Sequence, residues 1–180
     1  MIKYTDTAVT LREIPNEITL CINISNCPCH CKGCHSSYLA EDIGTELGWH
    51  DCIAKDGKST SLYKLILANE GITCVAFMGG DSDPRYLNEL AHRIKQGYHE
   101  DIKDIKVAWY SGRQELSKEI DLANFDYIKL GPYIEELGPL DNPNTNQRLY
   151  KVLMSKEKDA FNNPVYGFKD ITHLFWKEQP

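Results

Sequence analysis

The stretch ITCVAFMGGDSDPRYLNELAHRIKQG, residues 72–97, decides how the chain is read. ITCVAFMGG has the apolar run of a buried strand and ends on a glycine pair. Asp83 then stands as an N-cap and Pro84 at the first position of a helix through YLNELAHRIKQG. The next strand follows at once in IKVAWYSG, 105–112. Strand, helix, strand in this order predicts a parallel pair joined by a crossover.

The pattern extends in both directions. EITLCINI predicts a buried strand over 18–24, and SLYKLILANEG a helix over 61–71 that stops at Gly71. RQELSKEIDLA (113–123) predicts a short helix, FDYIKLG (125–131) a fourth strand, and RLYKVL (148–153) a fifth after the polar loop DNPNTNQ. The expectation is an α/β fold forming one domain over residues 1–180. A closed eight-fold barrel takes about 250 residues, so this length predicts a partial (open) β/α barrel of roughly five or six parallel strands. In such folds chemistry gathers at the carboxyl ends of the strands. The loops there are the Cys-rich segment after the first strand, GGDSDP after the second, YSG after the third and KLGPY after the fourth.

Bulk composition narrows the function. Hydrophobic residues make up 42% and charged residues 26% of the 180, with a net charge of −6. A chain this acidic, with no basic cluster, argues against nucleic-acid binding. No apolar run approaches the ~18 residues of a membrane span. MIKYTDTAVTLREIPNE has no secretory pattern, so the expected location is the cytoplasm.

In a reducing compartment closely spaced cysteines bind metal or do redox chemistry. Of the seven, Cys21 and Cys74 sit in apolar runs and predict buried hydrophobes, and Cys52 falls in a polar loop as an incidental thiol. NISNCPCHCKGCHS places Cys27, Cys29, Cys31 and Cys34 within eight positions. Three assignments compete. A structural zinc site wants four ligands, but all four here crowd one loop and no second knuckle exists. A ferredoxin-type carrier wants a C-x2-C-x2-C-x3-C-P run, which is absent. Leaving out Cys29 gives C-x3-C-x2-C, three thiolates that on a four-iron cluster leave one iron open, as a catalytic metal needs.

With that spacing the chain resembles the radical S-adenosylmethionine superfamily, and within it the activating proteins of anaerobic ribonucleoside-triphosphate reductase. The likeness runs over residues 15–153 through CPCHCKGCHS, MGGD, WYSG, DYIKLGPY and PNTNQRLYKV. It implies a 4Fe-4S cluster on Cys27, Cys31 and Cys34, with the amino and carboxylate groups of S-adenosyl-L-methionine on the fourth iron. It also implies that Gly79 and Gly80 let backbone approach the cofactor. Asp81 would pair with the cofactor's ammonium group, although the family usually has Glu there and Asp83 is an alternative. Ser111 would bond its ribose or carboxylate. Lys129 would neutralise the carboxylate, or else be an exposed lysine on a strand edge. No catalytic side chain is implied beyond the cluster and cofactor.

The implied reaction makes a glycyl radical on the reductase, with a flavodoxin- or ferredoxin-type protein as electron donor. Another glycyl-radical enzyme as target, or a non-catalytic zinc or iron–sulfur module, are the alternatives. Cys29 reads as a bystander thiol, His30 and His35 as loop residues, and Asn146, Gln147 and Arg148 as a turn that caps backbone groups. Trp109, Phe125 and Tyr150 read as core residues. The tail from Phe161 onward either closes the barrel or faces a partner.

Overall fold

The computed structural model describes residues 1–50, 60–97 and 102–176, so Cys52 lies outside the described residues. Its centre is built from four runs read as strands in the sequence. These become β2 (Thr19–Ile24), β5 (Cys74–Met78), β6 (Lys106–Tyr110) and β7 (Tyr127–Leu130). They pair in parallel, with Cys21 beside Ala76, Ala76 beside Ala108 and Trp109 beside Ile128.

Side chains alternate across a strand, and the two faces differ. Leu20, Ile22, Ile24, Val75, Phe77, Val107, Trp109 and Ile128 form one large core. Both helices pack on it, α1 (Leu62–Leu67) through Leu62 and Ile66, α2 (Pro84–Lys95) through Leu87, Leu90, Ala91 and Ile94. The opposite face carries the smaller Cys21, Cys74, Ala76 and Ala108, with Tyr127, and is covered by Ile14, Leu149 and Ile171. Cys21 and Cys74 are buried there, as expected.

The flanks overturn the barrel. Strand β1 (Lys3–Thr10) pairs antiparallel with β2, and β8 (Arg148–Lys158) antiparallel with β7. Beyond β1 lie β3 (Thr45–Gly48) and β4 (Thr60–Ser61), and beyond β8 lies β9 (Pro164–Asp170). The result is a mixed nine-stranded sheet in the order β4-β3-β1-β2-β5-β6-β7-β8-β9, with two α-helices among the described residues. The expected α/β partial barrel with five or six parallel strands is therefore incorrect: the molecule is mostly sheet, its central parallel strands number four, and its helices lie on one face.

Two local causes are visible. The expected helix over 113–123 does not form, and only the short 3-10 turn Leu122–Asn124 appears at its end. Ser117 accepts from the Glu119 amide and Asp121 from the Ala123 amide, so short polar side chains take the donors that a helix would use. The 131–147 connection, with three prolines and two glycines, contains no helix. A parallel return usually needs a helical crossover. Without one, β8 returns beside β7 in the opposite direction.

At the amino-terminal edge of the parallel strands Glu17 fastens three of them. Its buried carboxylate accepts from Thr73 (2.7 Å), Tyr127 (2.9 Å) and the Lys106 ammonium. No helix among the described residues is long and apolar enough to cross a membrane.

Candidate functional site

At the other edge, the Cys-rich loop leaves β2 through two backbone bonds. The Asn26 amide donates to Glu41 O (2.9 Å) and the Cys27 amide to Leu39 O (2.8 Å). Asn26 and His30 take left-handed backbone, with φ of 59° and 44°. Cys31–Cys34 is a tight turn closed by the Cys34 amide on Cys31 O (3.2 Å). Gly33 at φ 72° occupies its third position, which requires positive φ in a type II turn. A Cβ there would lie 3.3 Å from the Glu135 carboxyl carbon and 3.4 Å from the Tyr133 ring. The turn thus rests on the segment that follows β7.

Cys29, read as a bystander, faces inward. Its sulfur is 3.9 Å from Asp81 Oδ2, and a Cβ added to Gly112 would stand 2.7 Å from it. Burial, then the Asp81 carboxylate and the Cys27 thiol, push the Cys29 thiol up to about 12. The ligand atoms of Cys27, Cys29 and Asp81 all lie within 4.8 Å of one another. Cys31 and Cys34 belong to no such group among the described residues.

Asp81 has a fully buried side chain. Ser111 Oγ donates to Oδ1 (2.6 Å) and the Gly112 amide to Oδ2 (2.9 Å). Arg113 closes the arrangement, with Nε 3.7 Å from Oδ1 and Nη2 donating to the Asp81 carbonyl (3.3 Å). Ser111 is buried, and its amide donates to Lys129 O (2.9 Å). Lys129 is buried rather than exposed on a strand edge, and its ammonium donates to Gly131 O (2.7 Å) and Ser111 O (3.4 Å). Burial lowers its pKa to about 8, opposed by electrostatic attraction to Cys31, Asp81, Cys29 and Cys34.

The structure thus gathers Cys27, Cys29, Asp81, Ser111 and Lys129 at one edge, with Cys31 and Cys34 within electrostatic range of the lysine. Asp83, the alternative to Asp81, is the N-cap of α2, accepting from the Tyr86 amide (3.0 Å), and pairs with the Met1 ammonium (3.0 Å). Gly79 and Gly80 have φ of 106° and 95°. Added Cβ atoms would meet Ile24 O at 2.9 Å and Leu87 Cδ1 at 2.3 Å, so their close approaches are to β2 and α2. Asn146 and Arg148 cap carbonyls, Asn146 at Pro132 O (2.9 Å) and Arg148 at Gln147 O (2.7 Å). His30 and His35 are exposed.

Gly112 and Arg113 were missed from sequence. The signal available was YSG itself, whose glycine lets a thiol pack and whose following arginine lies one residue beyond the motif. Asp81 and Arg113 also border a cleft of about 670 Å³ with Pro84, Leu116 and Ser117. This chain matches no protein-family model, no curated protein and no solved structure.

Proposed function

We propose that the chain is a radical S-adenosylmethionine activase that places a glycyl radical on anaerobic ribonucleoside-triphosphate reductase in the cytoplasm. The observation that carries this reading is the placement of the C-x3-C-x2-C loop over the ends of four parallel strands, at the same edge as Asp81, Ser111 and Lys129.

The donor set of Cys27, Cys31 and Cys34 is three thiolates, and a cluster takes one on each of three irons. Those three residues would hold a 4Fe-4S cluster, leaving one iron for S-adenosyl-L-methionine. When bound, the pair supplies one-electron cleavage of the cofactor's carbon–sulfur bond, and its products are methionine and, after a glycine hydrogen atom is taken, 5′-deoxyadenosine. The electron comes from a reduced flavodoxin- or ferredoxin-type donor.

The chain's own residues bind and orient. The Lys129 ammonium, fixed by two carbonyls, offsets thiolate charge in a setting where burial strengthens the attraction. Asp81 is oriented by Ser111 and Gly112 with its side chain buried, so a cofactor ammonium would pair with it only after the contacts covering it open.

The test is anaerobic incubation of the reconstituted chain with reductant, S-adenosylmethionine and the matching reductase. A glycyl-radical EPR signal on the reductase, with 5′-deoxyadenosine released in step, is expected. Cys27→Ala, Cys31→Ala and Cys34→Ala each abolish both. Cofactor cleavage without any radical on the reductase would refute the assigned target, and absence of cleavage would refute the activase reading.

A further inference from the structure

Two thiols converge on a carboxylate that solvent does not reach. We infer that Cys27, Cys29 and Asp81 form a binding site for one divalent ion of the zinc class. This site shares Cys27 with the Cys27, Cys31 and Cys34 set but differs from it in Cys29 and Asp81, and it does not depend on the activase reading.

The donor atoms lie within 4.8 Å of one another. Metal–sulfur and metal–oxygen bonds of about 2.3 and 2.1 Å place tetrahedral donors about 3.5–3.8 Å apart, and Cys29 Sγ already lies 3.9 Å from Asp81 Oδ2, so a contraction of at most about 1 Å closes the site. Asp81 is not an incidental surface acid. Its side chain is fully buried, and Ser111 and Gly112 each donate to one of its oxygens, as the supporting groups of metal-binding carboxylates do. Cys29 reaches Asp81 because residue 112 is glycine; any Cβ there would overlap its sulfur.

Charge and softness fix the class. Two thiolates and a carboxylate carry three negative charges, and a divalent ion leaves one, which the nearby Arg113 and Lys129 cations offset. Sulfur donors select zinc-like ions over magnesium or calcium. Three protein ligands leave the fourth position to water. Because Cys27 belongs to both sets, this ion and a cluster exclude one another.

The test uses the full chain, reduced, stripped with chelator and titrated anaerobically with Co²⁺, followed by thiolate-to-cobalt charge-transfer absorption. One Co²⁺ per chain, displaced by equimolar Zn²⁺, is expected. Cys29→Ser and Asp81→Asn weaken binding at least tenfold, while Cys31→Ser and Cys34→Ser leave it within twofold. Far-UV circular dichroism checks each fold, and Cys29→Ala replaces Cys29→Ser if the serine form fails to fold. No saturable binding by the wild type, or loss of binding in Cys31→Ser and Cys34→Ser with Cys29→Ser unaffected, overturns the site. Failure of the wild type to retain iron would count against the activase reading alone, because the cobalt readout does not require a cluster.

Discussion

Glu17 is a single carboxylate on which three parallel strands depend. Burial alone would raise its pKa, but bonds from Lys106, Thr73 and Tyr127 outweigh this and hold it below the ordinary glutamate range. A depressed carboxylate contributes stability above its unfolded pKa of about 4.3, and that stability is lost as pH falls through the lower folded value. Urea denaturation from pH 7 down to pH 3 should show this loss. Glu17→Gln should cost about 1–3 kcal/mol at pH 7 and flatten the acid limb; an unchanged acid limb would mean that the network does not titrate with folding. The site was unevenly legible at this scale. Cys27, Asp81, Ser111 and Lys129 were readable because each stands in or beside a strand-end motif. The inward placement of Cys29 was not, since it depends on Gly112 and Asp81, 83 and 52 positions away. Burial of Lys129 was equally hidden, because a strand residue's neighbours come from other strands.

Among the elements, α2 was the most readable: a proline start, an aspartate cap and apolar spacing all agree, and Asp83 does cap it. Its junction with β5 carries a prediction. Gly80 has φ 95°, and a Cβ there would lie 2.3 Å from Leu87 Cδ1. Gly80→Ala should therefore destabilise by about 2–4 kcal/mol through backbone strain and overpacking, measured by the urea midpoint. A change below ~1 kcal/mol would show that the turn is not under this constraint. The segments that misled did so for physical reasons. Residues 113–123 have helical composition, but their serine and aspartate bond the local backbone instead. In β1, KYTDTAVT alternates without a buried apolar face and is held by pairing with β2. Strand β8 continues past residue 153 because β9 supplies partners such as Tyr166 for Met154. Propensity carries no record of such a partner.

At the scale of the whole molecule, the parallel centre was legible and its closure was not. Continuous apolar runs announced four buried strands, while the direction of the flanking strands depended on connections whose lack of helix no periodicity reveals. The barrel expectation extended a local rule to the edges, where β1 and β8 reverse it. Gathering chemistry at the carboxyl edge needs only the parallel centre, so the activase proposal does not require a barrel. Its most direct test is iron and sulfide analysis of the anaerobically reconstituted chain, with EPR of the reduced protein before and after S-adenosylmethionine. The proposal predicts about four irons per chain, one cluster of four, and a reduced-cluster signal that the cofactor alters. A chain that retains no iron, or a signal indifferent to S-adenosylmethionine, would contradict it.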